Sequence, residues 1–514
     1  MRKIKKYILS AILTLGVLTV NAQQPGKVTR TWFTNPDVKI ETPAFKGAGH
    51  YYTSYKKMNK YLEAEQSHHP QLIKIETVGK TQRHHDIKLV TVSNGKASAD
   101  KIKVLYTGCV HGNEHAGTEG LMWFIHQLAN DRSVGKLLDH IDFYIMPMVN
   151  VDGSEADSRY TNNGTDPNRD QTRLSTPEVE CMHSVATRVM PHVFVDFHEF
   201  KPLRTAYDDI SDRIISNPND FMFLYSSNPN VYPGLTEMIE GKFMPEAKKM
   251  AEKWGLVNRT YFTTKTQGER TVMNVGGQSS RSSSNIMALR GSISLLMEIR
   301  GIGMGKTSYL RRVNTAYQLA LSYANTAEAN KAEVLKVCNE ALQQQRPIAT
   351  EYKVPTVKDE PFEFIDLLKN EKTTIKVDAN HARELKVTKE VARPKAYVIS
   401  AKEELAISLV KKFGIRYSVL DNQESARTIA VEAYKVKSTR TQKAEVLGIH
   451  PLSVAVETFN TTVSLPKGSI VVPMDQPLST LAAILIEPEC TNGFVNFRVI
   501  DAKEGQTLPI YRIK

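Results

Sequence analysis

Two histidines and a glutamate, His111, Glu114 and His115, fall within five residues in "YTGCVHGNEHAG", directly after an apolar run. Farther on, "HVFVDFHEF" carries His198 at the end of a second apolar run, and "SLLMEIR" carries Glu298 at the end of a third. A fourth run, "IDFYIMPMV", opens into Asn150-Val151-Asp152-Gly153. One polar strand end is routine. Four of them, carrying two histidines and two glutamates, form a pattern, because open α/β sheets bind ligands in the crevice beyond the carboxyl ends of their strands. Two His and one carboxylate with an open fourth position make a catalytic zinc set. His111 and Glu114, three apart on a turn, can face one ion, and His198 can reach it from a neighbouring strand. His115 competes for the same ion, but a His-x-x-x-His pair leaves Glu114 without a role.

These residues need a scaffold. Strand-like runs "LIKIETVG", "DIKLVTVS", "KIKVLYTG", "IDFYIMPMV", "HVFVDF" and "GSISLLMEI" alternate with helical patterns over 53–64, 116–130, 177–190 and 235–254. That alternation predicts an α/β layer architecture with a mixed, largely buried sheet flanked by helices. A long helical segment over 310–344 closes the unit. Beyond Arg346 the texture changes. Pro347, Pro355 and Pro361 punctuate a polar stretch that reads as a linker. After it come "TTIKVD", "KAYVIS", "TIAVEAY", "LSVAVETFNTTVSL", "SIVVPM" and "FVNFRVI", interrupted by one helix over 402–413. The expected division is a signal peptide at 1–22, a catalytic domain at 23–345 and a β-rich (α+β) C-terminal domain at 346–514.

The ordered set "HGNE", "NVDG…RYTNNGTDPNRD", "DFH" and "LLMEIR" resembles the zinc metallocarboxypeptidases of the carboxypeptidase A superfamily (peptidase family M14). Each motif alone is short; the set occurs in the family's order over more than half of the chain. His₂Glu is the known ligand set of carboxypeptidase A itself, so the resemblance assigns what the spacing only allows. It implies a carboxypeptidase-like fold, one Zn²⁺ on His111, Glu114 and His198, and Glu298 as the general base that takes a proton from the zinc-activated water. It implies Asp166 as the carboxylate that orients a ligand histidine, and Arg159 as the cation beside the developing oxyanion. Asn168 and Arg169 match the pair that grips the substrate's terminal carboxylate, a task that suits the planar guanidinium fork. The interval between Glu114 and His198 is short for the family's digestive enzymes and resembles its compact bacterial branch and deacylase relatives. The family's mobile tyrosine has no local motif here; Tyr261 and Tyr207 are its candidates. "QSSRSSSNIMALRG" is expected to line the pocket, where Arg281 could attract an acidic group. Glu119 and Glu199 read as surface or rim carboxylates.

Composition agrees with a folded protein: 41% of the 514 residues are hydrophobic and 8% aromatic. The formal charge of +12 includes Arg2, Lys3, Lys5 and Lys6, and the other basic residues are scattered among acidic ones, which argues against nucleic acid as a partner. The basic start, the apolar run from Tyr7 to Val20 and the ending Val20-Asn21-Ala22 have the layout of a Sec-type signal peptide, so a secreted or periplasmic bacterial protein is expected, with no stable membrane insertion after cleavage. Cys109, Cys181, Cys338 and Cys490 are too few and too scattered for a disulfide scaffold. The function expected is hydrolysis of the C-terminal peptide bond of substrates with a free C-terminal carboxylate. The alternatives are a zinc amidase or deacylase acting on N-acyl amino acids or murein peptides, and a non-enzymatic surface-binding protein.

Overall fold

The computed structural model describes residues 24–46, 52–96, 100–420 and 427–514. The expected signal peptide at 1–22 lies outside the described residues. The first eleven strands are β1 (Ile73–Lys80), β2 (Asp86–Val92), β3 (Ile102–Gly108), β4 (Ile141–Met146), β5 (Val193–Phe200), β6 (Ile215–Ser216), β7 (Phe221–Tyr225), β8 (Asn258–Thr260), β9 (Phe262–Gln267), β10 (Arg270–Val275) and β11 (Ile293–Arg300). Eight of them form one mixed sheet in the order β1-β2-β4-β3-β5-β11-β7-β8. At its centre β4, β3, β5 and β11 run parallel, and the antiparallel strands β2 and β7 flank them. Every residue of β5 is buried, and β3 and β11 each expose only one position partially. This is the near-continuous apolar pattern of strands covered on both faces. The chain goes from β3 outwards to β4, then returns past β3 to β5. That reversal puts a crevice at the carboxyl ends of β3 and β5.

Helix Ala116–Asn130 follows β3, and helix Tyr309–Ala329 packs on it. Gly120 permits the approach, since a side chain there would meet Ala316. The helical stretch expected over 310–344 is two helices, Tyr309–Ala329 and Lys331–Gln343. Asn330 breaks it: its side-chain amide donates to the Thr326 carbonyl at 2.8 Å, competing with the backbone ladder. The stretch over 235–254 is helical from Pro233 to Lys253 but widens into a π turn at Ile239–Phe243. Pro245, which has no N–H to give the preceding turn, accounts for the widening.

The C-terminal part adds β12 (Ile348–Lys353), β13 (Thr356–Asp366), β14 (Glu371–His381), β15 (Lys386–Val391), β16 (Ala396–Ile399), β17 (Ser418–Val419), β18 (Arg427–Thr441), β19 (Leu452–Leu465), β20 (Ile470–Pro473) and β21 (Thr507–Ile513). The last six form a sheet in the order β17-β20-β16-β21-β18-β19. The hairpin β13–β14 does not join it. β14 pairs in parallel with β10, and β13 pairs with β6, so strands from both sides of residue 346 share one five-stranded sheet. Phe362 and Phe364 pack there with Phe262 in a core of their own. "FVNFRVI" is not the strand its alternation suggested. It forms tight turns, with Arg498 at φ 53° and the Phe494 amide donating to the Leu485 carbonyl at 2.7 Å. Its apolar residues are buried beneath helix Ser479–Ile486, which is buried all round and therefore lacks an amphipathic period.

All four cysteines are free and buried. Among the described residues, no helix is long and apolar enough to cross a membrane.

Candidate metal centre and its cleft

His111 sits in the loop that leaves β3. Two features shape that loop. Cys109 adopts the left-handed conformation at φ 53°, a costly one for a residue with a side chain. Gly112 lies against the backbone of Gly153 and Ser154, with no room for a Cβ. The segment after β4 thus braces the loop after β3, and the Asn150 amide donating to the Cys109 carbonyl at 3.0 Å fixes the pair. His198 and Glu298 are direct register partners on the parallel strands β5 and β11. They therefore stand side by side on one face of the sheet.

The side chains converge. His111 Nδ1 lies 2.8 Å from Glu114 Oε1, His198 Nδ1 lies 2.8 Å from Glu114 Oε2, and the two Nδ1 atoms are 3.0 Å apart. The other nitrogen of each ring has a carboxylate of its own. His111 Nε2 faces Asp166 Oδ1 at 3.1 Å, and His198 Nε2 faces Asp196 Oδ2 at 2.7 Å. Such outer carboxylates are what metal-bound histidines normally carry, since they fix the tautomer and strengthen the ligand. Asp196 in turn accepts from Thr107 Oγ1 at 2.7 Å and Ser283 Oγ at 2.5 Å. Asp166 accepts from Arg159 Nε and Nη2 and from the Asn168 amide. The Glu199 amide donates to Glu114 Oε2 at 3.0 Å.

The electrostatics point the same way. Burial pushes Glu114 up, but His111 and His198 outweigh it and hold the carboxyl below its usual range. Burial likewise raises Asp166, and His111 with Arg159 lowers it further than burial raises it. Burial disfavours a charged His198, yet Asp196 and Glu114 raise its pKa well above the ordinary value. Glu298 is raised by burial first and by the charge of Glu114 second. Four carboxylates, Glu114, Asp166, Asp196 and Glu298, meet one committed guanidinium, Arg159. A dication offsets that excess of negative charge. Among the described residues, His111, Glu114 and His198 are the only group of three or more His, Cys, Asp or Glu placed to hold a metal ion. Donor types, convergence and outer partners all fit zinc.

A cleft of about 870 Å³ opens from this centre. His111, Arg159 and Glu298 line it together with Asn168, Arg169, Arg281, Tyr261, Thr356 and Asn380. Asn168 Oδ1 accepts the Ser283 amide at 2.8 Å, which ties the Asn168–Arg169 turn to the turn that carries Arg281. Of the residues singled out from the sequence, His111, Arg159, Asn168, Arg169, Tyr261, Arg281 and Glu298 line this cavity, and Glu114, Asp166 and His198 stand against His111.

His115, already set aside as a ligand, lies outside the metal-holding group: its ring stacks on Tyr52 at 3.8 Å between centroids, and Nε2 faces Asp157 at 3.0 Å. Several readings change. Glu119 and Glu199 are not rim carboxylates but buried ones, exposed by 1% and 3%. Glu199 is held by Arg312, whose Nε donates to it at 2.9 Å. Tyr207 packs against Phe364 away from the cleft, whereas Tyr261 lines it. Asp196 and Ser283 were missed. The signal for Asp196 was present, since residues two apart on a strand share a face, and Asp196 stands two before His198.

Residues 58–186 match the zinc carboxypeptidase (Peptidase M14) family model. That span holds His111, Glu114, Arg159, Asp166, Asn168 and Arg169 and ends before His198 and Glu298. Carboxypeptidase 2 of Trichophyton equinum is 27% identical over 425 residues, 82% of this chain and 78% of the relative. Carboxypeptidase 2 of Trichophyton rubrum is 26% identical over 423 residues, 81% of this chain and 77% of the relative. These fungal alignments are longer than the first 345 residues, so the likeness runs into the C-terminal part. The zinc carboxypeptidase of Saccharothrix mutabilis subsp. capreolus is 30% identical over 174 residues, 30% of this chain and 39% of that one. Among solved structures, bovine thrombin-activatable fibrinolysis inhibitor, in complex with a tick carboxypeptidase inhibitor, aligns with TM-score 0.41 and 18% identity over 56% of this chain and 98% of that chain. The family match and the curated relatives support a peptide-bond hydrolase with zinc as its metal.

Proposed function

We propose that this chain, a zinc-dependent peptide-bond hydrolase by its family match, is a secreted carboxypeptidase that removes the C-terminal residue of peptides. One observation carries the reading. The convergent His111, Glu114 and His198 stand beside Glu298, and the cleft that His111 and Glu298 line is also lined by Asn168 and Arg169.

His111, Glu114 and His198 would hold the zinc ion, which would supply a Lewis acid for the scissile carbonyl and for water. The other roles belong to the chain. Arg169 receives the α-carboxylate of the substrate in its guanidinium fork, with Asn168 beside it. That anchor places the last peptide bond, rather than an internal one, over Glu298. Glu298 takes the proton of the attacking water and returns it to the leaving amine. Its burial favours that exchange, because a carboxylate raised above its usual pKa is a better base. Arg159, locked to Asp166, presents its remaining N–H groups to the oxygen on which negative charge develops. Tyr261 is the candidate for the substrate-contacting tyrosine.

The unit that performs this chemistry runs, on this reading, from 23 to 345, and the domain from 346 onwards lends it the β13–β14 hairpin. The leader at 1–22 supports export to the periplasm or beyond, and the short interval between Glu114 and His198 supports a compact bacterial type. Purified protein with stoichiometric zinc is expected to release C-terminal amino acids from a peptide library. Cleavage of N-acyl amino acids or murein peptides in preference to ordinary peptides favours the amidase alternative, and inertness on all three refutes the enzyme reading.

A further inference from the structure

Two guanidiniums that line the cleft, Arg169 and Arg281, lie close enough for their charges to interact, and the proposed reaction uses only the first. Both are half-buried. Arg169 gives one N–H to the Asn168 carbonyl, and among the described residues no carboxylate forms an ion pair with either arginine. Arg159, by contrast, is paired with Asp166, and Arg312 with Glu199, while Arg204, also in the cleft lining, gives its N–H groups to the Lys201 carbonyl and Thr263 Oγ1. Burial and the neighbouring charge of Arg169 lower Arg281 to about 10 and the charge of Asp166 partly offsets them, so it remains a cation at neutral pH.

Their relative position is fixed. The Asn168 side chain accepts the Ser283 amide, so the turn carrying Arg281 is bonded to the turn carrying Arg169. Around Arg281 the lining is Ser279, Ser282 and Asn285, a polar surface that offers an apolar side chain little burial. Lys201 and Lys265 add positive charge to the same cleft, and among its lining residues only Glu199 and Glu298 are carboxylates. Glu199 is already neutralised by Arg312.

We propose that the enzyme prefers substrates whose C-terminal residue is acidic, glutamate above all. Arg169 takes the α-carboxylate and Arg281 takes the side-chain carboxylate of the same residue. The inference rests on the carboxypeptidase reading and adds the class of residue released. A terminal lysine meets like charge in this pocket, and a terminal phenylalanine meets hydroxyls and amides.

The test is a set of peptides that differ only in the last residue, Glu, Asp, Gln, Phe or Lys, assayed with the zinc-loaded full chain. Glutamine is the isosteric control for glutamate. A charge-assisted hydrogen bond to a guanidinium predicts a kcat/KM ratio of Glu over Gln of about 10 to 100. Arg281→Gln is expected to bring that ratio close to one, and Arg281→Glu to invert the order between Glu and Lys. The ratio cancels losses common to both peptides, including partial misfolding. Turnover with a wild-type Glu/Gln ratio of one or less overturns the inference alone, as does a ratio that Arg281→Gln leaves unchanged. Turnover of none of the five peptides overturns the carboxypeptidase reading, and the inference falls with it.

Discussion

At the metal end of the cleft, ring nitrogens and carboxylate oxygens have assigned partners. His111 is backed by Asp166, His198 by Asp196, and Asp196 by Thr107 and Ser283. At the other end, Arg169 and Arg281 line the cleft and, among the described residues, make no ion pair with a carboxylate, although the charge of Asp166 reaches both. The first end rests on the central strands of a buried sheet; the second rests on loops and on contacts from distant segments. The difference follows from what each end must do. A metal ligand has to be aimed before the ion arrives, and an outer hydrogen bond aims it. A specificity cation has to remain unsatisfied until substrate supplies its partner, because a preformed ion pair would have to be broken on binding.

If this contrast is right, disturbing the metal end should cost everything, and disturbing the other end should cost only discrimination. The largest effect is expected from His198→Ala. It removes one of three ligands and leaves Asp196 buried without its histidine. Zinc content should fall to background and peptide release should cease, as it should for the wild-type protein after chelation. A variant that keeps stoichiometric zinc would remove His198 from the ligand set. Next comes Glu298→Gln, which keeps shape and deletes the base. General-base catalysis is worth roughly 10²- to 10⁴-fold, so kcat should drop by that factor with zinc content unchanged. Undiminished turnover would take Glu298 out of the reaction.

The same contrast governs what can be read from the amino-acid sequence. Residues at the ends of β3, β5 and β11 announce themselves, because apolar runs that stop at His111, His198 and Glu298 mark both strand and site. Elements whose partners are near in sequence were also legible, helix Ala116–Asn130 among them. Elements defined by distant pairing were not. Nothing local in Glu371–His381 says that it will lie parallel to Arg270–Val275, and the short strand Phe221–Tyr225 earned no reading although it closes on β11. Helix Ser479–Ile486 is apolar on every side, and "FVNFRVI" alternates like a strand, yet burial inside the C-terminal unit decides both. Burial of Glu199 was hidden for a similar reason, since its partner Arg312 lies on a helix far along the chain.

Asp196→Asn probes the metal end more gently. Asparagine can still meet Nε2 of His198, but without the negative charge. Loss of an outer-shell carboxylate typically weakens metal binding about 10- to 100-fold. Zinc affinity, measured by competition with a chelator, should fall within that range, and KM for peptide at saturating zinc should not move. An unchanged zinc affinity would mean that the aspartate serves packing, and the closed hydrogen-bonded set would lose its functional meaning.

The smallest expected effect tests whether the C-terminal unit belongs to the specificity end. Ser279 Oγ donates to Asn492 Oδ1 at 2.6 Å, and Ser280 Oγ to the Thr491 carbonyl at 3.3 Å. Both serines sit on the turn that carries Arg281, so a segment more than two hundred residues away steadies that arginine. Asn492 has φ 66°, which makes alanine a poor probe, because a strained backbone would confound the loss of the side chain. Asn492→Gly keeps the left-handed backbone and deletes only the acceptor. One net hydrogen bond is worth about 0.5–1.5 kcal/mol, or roughly two- to tenfold. KM for a glutamate-terminated peptide should rise within that range while kcat and zinc content stay at wild-type values. If KM is unmoved in Asn492→Gly but rises in Arg281→Gln, the Arg281 turn holds its shape without the C-terminal unit. The two ends of the cleft would then differ in charge pairing alone, and not in which parts of the chain support them.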